Sequence, residues 1–264
     1  MSALPTRHDE AFRYADIAAL TSVWDALGEP QRIEIAAQQK VQQIWLPDGA
    51  AIAVRRVEIL LEAGASAQIF ALANAATYAR IEVDVSLHEG AHFEFHAAII
   101  GGGSSTNEIV TTVRHLERDS TSRQTVRSVL GGSAVGTYLG KVAVARGADG
   151  TDAIQSVKAM LLDRGATANA KPELEIYADD VKCAHGATVG ELDAMQLFYA
   201  AARGMDPATA KAVLLEGFVG GLWDSLDEDS DIASAARAAL RTISYSPVRG
   251  GEPAKPVEGA SCPA

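Results

Sequence analysis

Two short alternating segments joined by a tight corner make up residues 78–100, YARIEVDVSLHEGAHFEFHAAII. In both segments every second residue is apolar, which is the pattern of a strand with one buried face. Gly90 and Ala91 stand between the segments, and glycine is the residue that a corner with positive φ favours. The stretch therefore predicts two consecutive strands joined by a corner.

The same pattern continues from about Ile33 to Ile176. Further segments of this kind are VQQIW, IAVRRVEIL, EIVTTVRHL, RQTVRSVL, TYLGKVAVA and ELEIY. Gly-Ala pairs recur near the corners, at positions 49, 64, 90, 147, 165 and 186. No long helical pattern separates the strands, so strand-helix-strand crossovers are excluded. Repeated corners and short strands favour a β-solenoid, and a two-layer antiparallel sandwich is the competing architecture.

The pattern becomes helical after residue 190. The segment ELDAMQLFYAAARG has apolar residues at helical spacing and ends at Gly204. Asp206 and Pro207 are the N-cap and first residue of a second predicted helix, which continues to Leu226, and a third is predicted from Asp229 to Arg241. Close packing against another backbone is the expected reason for three glycines inside the second helix. They are Gly217, Gly220 and Gly221.

These patterns divide the chain into four parts. They are an N-terminal segment with short helices (1–30), a β-helix core (31–190), a C-terminal helical region (191–243) and a tail expected to be disordered (244–264). Because its first residues are charged and no window is long and apolar enough to span a bilayer, the protein is predicted to be cytoplasmic. Cys183 and Cys262 could form a disulfide on paper, but in a reducing compartment both are expected to be free thiols.

The composition excludes several classes of function. The chain of 264 residues has a net charge of −11 and no Lys/Arg run interleaved with aromatics. Binding to nucleic acid or to an anionic membrane surface requires clustered cations, so neither is expected. Aromatic residues make up only 6% of the chain, which indicates a core built from thin layers of small residues.

Two segments resemble catalytic motifs, but neither is expected to form the corresponding site. His88, Glu89 and His92 match the H-E-x-x-H zinc signature, with His96 four residues later, but that chemistry requires a helix and this match crosses a corner between strands. The nearest approach to a phosphate-binding loop ends at Lys141 and lacks the required glycine and hydroxyl residue. No G-x-S-x-G elbow is present.

Cys183 and His185 are the candidate metal ligands. They are two residues apart, so on a strand they project from the same face, with Val181 and Asp179 in line behind them. One thiol and one imidazole are too few to close a four-coordinate site, and an isolated pair of this kind can also be structural. Any metal held here needs ligands from another chain.

Three segments carry a resemblance to a known family. They are KPELEIYADDVKCAHGATVGELD (residues 171–193), LPTRHDEAFRYADI (residues 4–17) and the stretch TSRQTVRSVLGGSAVGTYLGKVAVARGADGTDAIQSVKAMLL (residues 121–162). Together they resemble the SufD branch of the SufB/SufD family, scaffold components of the SUF iron–sulfur cluster assembly system. In the opening segment, Phe12 stands where the family usually has Trp and Ala15 where Thr is usual.

The resemblance implies a fold, partners and a site. The fold would be a right-handed parallel β-helix flanked by helical segments. The partners would be SufB, through the β-helix, and the ATPase SufC, through the C-terminal helices, and a homodimer is conceivable for the chain alone. His185, together with Cys183, would contribute to a transient Fe–S cluster site shared with SufB, and no cluster would be bound tightly by the isolated chain.

The expected role is therefore that of a scaffold without enzymatic activity. The alternative is a β-helix carbohydrate-active enzyme, although no paired-carboxylate constellation is evident and aromatics that stack on sugars are few. Co-purification discriminates between them, because a scaffold brings an ATPase with it whereas an enzyme is active alone.

Overall fold

The computed structural model describes residues 4–244, which form twelve strands and four α-helices. The strands are β1 (Gln31–Ile35), β2 (Lys40–Trp45), β3 (Ile52–Leu61), β4 (Ser66–Ala73), β5 (Tyr78–Leu87), β6 (His92–Gly101), β7 (Thr106–His115), β8 (Thr121–Leu130), β9 (Val135–Val144), β10 (Asp152–Leu161), β11 (Thr167–Ile176) and β12 (Lys182–Glu191). The helices are α1 (Ile17–Val23), α2 (Ala194–Ala202), α3 (Pro207–Gly220) and α4 (Asp231–Ser244), with 3-10 turns at Glu10–Phe12 and Trp24–Ala26.

The strands alternate between two parallel sheets. Odd-numbered strands form one sheet in the order β1-β3-β5-β7-β9-β11, here called sheet A, and even-numbered strands form the other in the order β2-β4-β6-β8-β10-β12, called sheet B. Each circuit of the chain adds one strand to each sheet, so the fold is a parallel β-solenoid of about six turns. The solenoid prediction is confirmed, and the antiparallel sandwich is excluded because all described strand pairs are parallel.

The corners and the interior follow the predicted chemistry. Gly90, between β5 and β6, has φ of +64°, the left-handed conformation that glycine adopts most easily. Inward-facing residues of successive turns stack in register, as Val85, Val113 and Val142 do in sheet A. Small and branched side chains fill the narrow space between the sheets, so few aromatics are needed.

The N-terminal segment lies across the outer face of sheet A. Phe12 covers Arg80, whose guanidinium carbon lies 4.1 Å from the ring centroid. Beneath the ring, Arg80 Nη1 donates to Glu108 Oε2 at 3.1 Å, and the Tyr78 hydroxyl donates to the same oxygen at 2.7 Å. All three side chains are buried, and burial raises the pKa of Glu108 although Arg80 opposes the shift. The segment is thus held by a buried ionic cluster as well as by apolar contacts.

The C-terminal helices cover part of the outer face of sheet B. Leu215, Val219 and Leu222 are buried in a cluster with Phe70 of β4, and the rings of Phe70 and Trp223 meet edge to face at 6.3 Å. The apolar residues of α3 and of the turn that follows it therefore pack on the chain's own solenoid. The helical region and sheet B share one apolar core.

Several details differ from the sequence-based expectations. The second helix ends at Gly220 instead of Leu226, and Cβ atoms added at Gly217 or Gly220 would meet nothing within 4 Å, so close packing against the described part of the chain does not explain these two glycines. Strands β1, β4 and β10 were not among the alternating segments identified in the sequence. No helix among residues 4–244 is long and apolar enough to cross a bilayer. The predicted disordered tail and Cys262 lie outside the described residues.

Candidate metal centre at the end of the solenoid

Strand β12 is the outermost strand of sheet B. It pairs in parallel with β10 over its whole length, and no described strand pairs with its other edge. β11 is likewise the last strand of sheet A, so the final turn of the solenoid is open. Apolar side chains are exposed there, and Val189 has 51% of its surface in contact with solvent. Unpaired strand edges of this kind are sites where another chain can add a strand.

Cys183 lies at the inner side of this last strand. It is the register partner of Ala153, which is fully buried, and it packs partly against the solenoid core. Burial raises the pKa of the Cys183 thiol, Asp152 adds to the rise, and a hydrogen bond from the backbone of Ala153 opposes it. The isolated chain thus holds this sulfur as a half-covered neutral thiol, whereas metal binding requires a thiolate.

His185 is the next inward-facing residue of β12 and is exposed. Its register partner, Gln155, is buried. Within residues 4–244 the imidazole takes part in no hydrogen bond or ion pair. As predicted, Cys183 and His185 share one strand and one face, and both ring nitrogens of His185 are free to meet a partner.

A buried polar network lies below His185 inside the solenoid. The Gln155 Nε2 donates to the Glu173 carbonyl at 3.4 Å, and the Tyr138 hydroxyl lies 3.4 Å from Gln155 Oε1 and 3.0 Å from Gln124 Oε1. The Thr111 hydroxyl donates to Gln124 Oε1 at 2.6 Å. Burial raises the pKa of Tyr138, so its hydroxyl stays protonated. A line of buried polar side chains therefore runs through the otherwise apolar interior up to the layer of His185.

A second polar group was also missed by sequence reasoning. His115 ends β7 and is fully buried, with Nδ1 2.8 Å from the Ser120 hydroxyl and Nε2 2.9 Å from the Ser122 hydroxyl. Burial lowers its pKa to about 4, so the imidazole is neutral at neutral pH. The sequence offers one indication that His115 is buried. It occupies the strand position at which the neighbouring turns have the apolar residues Leu87 and Val144.

The H-E-x-x-H match does not form a metal site. His88 and Glu89 belong to the corner between β5 and β6, and His88 Nδ1 lies 3.2 Å from the Glu117 carboxylate. His92 Nε2 and His96 Nε2 lie 3.2 and 3.5 Å from the two carboxylate oxygens of Glu94, on the outer face of β6. The prediction that this is a corner between strands is confirmed.

The described part of the chain brings no third potential metal ligand to Cys183 and His185. No group of three or more His, Cys, Asp or Glu side chains that could hold a metal ion occurs among residues 4–244. A thiol and an imidazole are nevertheless the ligand types found on iron–sulfur clusters. The two side chains stand together on an open strand edge, where a second chain could approach them.

These observations define the class of the chain as a parallel β-solenoid protein that presents a thiol and an imidazole on its terminal strand. Residues 32–218 match the SufBD core domain of the SUF system for FeS cluster assembly. The chain belongs to this SufBD family.

Individual relatives agree with this family. The chain is similar to the iron–sulfur cluster assembly protein SufD of Escherichia coli, with 35% identity over 126 residues (47% of this chain, 30% of the relative). It is 33% identical over 138 residues to a SufBD family protein of Synechocystis (52% and 30%) and 28% identical over 131 residues to SufD of Bacillus subtilis (50% and 30%). The chain thus matches less than a third of the length of each relative.

Proposed function

We propose that this chain is a scaffold subunit of iron–sulfur cluster assembly, whose site is completed by a second protein. The observation that carries the proposal is the pair Cys183 and His185 on the open edge strand, with no third ligand in the described part of the chain. The cluster is the cargo of the assembly, held briefly and passed on. The chain itself performs no catalysis in this scheme.

SufB is the proposed partner at the open end. A related solenoid can continue sheet B by adding its own strand to β12, because the free edge offers unpaired backbone N–H and C=O groups. Covering β12 would bury Cys183 and His185 and bring thiolates of SufB within ligand distance. Exclusion of water would then protect a cluster that neither chain holds alone.

SufC is the proposed partner of the helical region. Helix α2 packs little on the rest of the chain, and Met195 and Phe198 keep 70% and 69% of their surface exposed. The buried stripe of α3 already packs on sheet B, so α2 is the apolar surface left for the ATPase. ATP hydrolysis belongs to SufC, because this sequence has no phosphate-binding loop. Assembly in the cytoplasm is part of the proposal.

Co-expression with SufB and SufC, followed by anaerobic purification and iron analysis, tests the shared site. The His185→Ala complex should assemble and hold several-fold less iron and acid-labile sulfide than wild type, because one ligand is lost. Lys182→Ala, on the neighbouring exposed residue of the same strand, is the matched control and should leave the cluster content unchanged. Normal cluster content in an intact His185→Ala complex would refute the role of this residue.

The isolated chain provides a second test. Purified alone without a tag, it should show no ATPase activity and retain little iron, since it supplies two soft ligands. Stoichiometric iron in the isolated chain would contradict the shared site. Hydrolysis of a polysaccharide by the chain alone would favour the carbohydrate-active alternative.

The SufC surface is tested by capture on immobilised SufC. A Met195→Ala/Phe198→Ala double variant should lose most of its SufC binding, because both side chains are exposed and apolar. Gln196→Ala, an exposed polar change on the same helix, should bind as wild type does. Equal capture of the double variant would move the SufC contact away from α2.

A further inference from the structure

One row of inward-facing side chains in sheet B changes from apolar to polar along the solenoid. The same register position is occupied in successive turns by Ile69, Phe95, Gln124, Gln155 and His185. Ile69 and Phe95 belong to the hydrophobic core, and the two glutamines are as deeply buried, each only 1% exposed. Polar side chains therefore enter this row only in the turns that end at His185.

Packing alone does not require the two glutamines. An apolar side chain fills the same position in both earlier turns. The Gln124 Nε2 is buried and has no hydrogen-bond partner among residues 4–244, and a buried donor without a partner lowers stability. The polarity of these turns therefore calls for an explanation other than stability.

The side-chain amide of Gln155 is held from two sides. Its Nε2 donates to the Glu173 carbonyl, and the Tyr138 hydroxyl lies near its Oε1, both at 3.4 Å. The Tyr138 hydroxyl is itself held by Thr111 Oγ1 at 3.1 Å and by Gln124 Oε1 at 3.0 Å. A carbonyl oxygen accepts two hydrogen bonds, so Gln155 Oε1 keeps one acceptor position that no group among residues 4–244 uses.

His185 follows Gln155 in the row with both ring nitrogens unused. Neighbouring strands lie about 4.7–4.9 Å apart, so the side chains of these register partners are adjacent. An imidazole that binds a metal through one nitrogen carries its proton on the other. This N–H is almost always held by a carbonyl or carboxylate oxygen or by water. Gln155 Oε1 is an acceptor of this kind, fixed in place beside the ring.

We propose that Gln155 is a positioning residue for His185. When a partner chain covers β12, the inward N–H of the imidazole donates to Gln155 Oε1, and the other ring nitrogen is left unprotonated and directed to the partner. Tyr138 acts through Gln155, because its hydroxyl keeps the amide oxygen oriented. The inference rests on the proposed role of His185 as a cluster ligand and extends it to buried residues that do not touch the cluster.

The complex co-expressed with SufB and SufC tests this role. Gln155→Leu should fold and assemble as wild type does, because the same position is apolar in earlier turns. Its cluster should be lost to a chelator about tenfold faster, since removing such a partner of a ligating histidine weakens metal binding roughly 10–100-fold. Gln68→Leu makes the same chemical change on the outer face of sheet B and should lose its cluster at the wild-type rate.

A spectroscopic measurement separates positioning from a purely structural effect. In a complex reconstituted from this chain with isotope-labelled histidine and unlabelled SufB and SufC, pulsed EPR of the reduced cluster detects the bound nitrogen, and His185→Ala identifies its signal. Gln155→Leu should shift the coupling of this nitrogen, because loss of the acceptor lowers the basicity of the ring. Tyr138→Phe should shift it in the same direction. The double variant should shift it no further than Gln155→Leu does, because Tyr138 acts through Gln155.

The outcomes distinguish the role of Gln155 from that of His185. Normal cluster retention by the His185→Ala complex would refute both. If His185→Ala loses the cluster while Gln155→Leu keeps the wild-type rate of loss and nitrogen coupling, only the role of Gln155 is refuted. Additive shifts in the double variant would also overturn it, because they would show two independent effects. Should Gln155→Leu fail to assemble, Tyr138→Phe decides, and an unchanged nitrogen coupling in that variant would refute the proposal.

Discussion

Gln155 and His185 are register partners on the last two strands of sheet B, and both face inward. The side chain of Gln155 is only 1% exposed, whereas that of His185 is exposed to solvent. Both positions lie within regular strands. The difference is that β10 has a neighbour on both edges, whereas β12 has one on a single edge. A further strand on β12 would bury His185 as β12 buries Gln155, which supports the proposed contact of a partner with this end of the solenoid.

The stability of the chain should fall in mild acid because of His115. Its pKa is about 4 in the folded protein and 6.5 in the unfolded chain, so the unfolded state binds the proton first as the pH decreases. The contribution of His115 is complete above pH 6.5 and is lost between pH 6.5 and 4, with a total on the order of 3 kcal/mol. Urea unfolding of wild type and His115→Gln at pH 7.5, 5.5 and 4.5 measures it. A stability difference that is constant over this range would contradict the prediction.

The helical region should be part of the folded core. Leu215 is fully buried between α3 and sheet B, so Leu215→Ala should lower the free energy of unfolding by about 3 kcal/mol. Val213→Ala, two residues earlier and half-exposed, should change it by less than about 0.5 kcal/mol. Chemical denaturation followed by circular dichroism checks both. Equal stability of the two variants would mean that α3 is dispensable for the solenoid.

This packing also explains which strands the sequence pattern did not reveal. Phe70 and Leu72 of β4 face outward, but the C-terminal helices bury them, so the alternation between apolar and polar residues disappears. In β10 the inward position is the polar Gln155, and Ile154 points outward. Periodicity predicts strands that have one solvent-exposed polar face and one buried apolar face. These two strands depart from that rule because their surroundings are formed by segments distant in the sequence.

For the candidate site, residue spacing was informative but local. It placed Cys183 and His185 on one strand face correctly, because side chains of a strand alternate regardless of context. It gave no indication of Tyr138 and Gln124, which meet only when the strands stack into turns. Spacing also does not tell which glycines allow close packing. Gly140 allows the close approach of Tyr138, whereas a Cβ atom at Gly217 would face open space.

The buried ionic cluster beneath the N-terminal segment should contribute more than an exposed ion pair. Glu108→Gln leaves the buried Arg80 with Glu82 as its remaining partner and should cost about 3 kcal/mol of unfolding free energy. Glu58→Gln removes the exposed pair with Arg32 and should cost less than about 1 kcal/mol. Thermal and urea unfolding of both variants provide the measurement. A cost for Glu58→Gln as large as that for Glu108→Gln would refute the importance of burial here.

Proline substitutions in β12 should separate folding from partner binding. Lys182 N–H donates to Thr151 O on the β10 side, and in a parallel strand alternate residues direct their N–H groups to opposite edges. The N–H of Ala187 therefore points to the free edge and that of Thr188 to β10. Ala187→Pro should keep the far-ultraviolet circular dichroism of the solenoid, because no hydrogen bond to β10 is lost.

If SufB pairs with this edge as proposed, the same variant should lose most of its SufB binding, since proline removes a donor and places a ring at the interface. Thr188→Pro is the control that should weaken the β10–β12 pairing in the chain alone. Undiminished SufB capture by a folded Ala187→Pro variant would show that the partner binds elsewhere and that the open edge of β12 is not the interface.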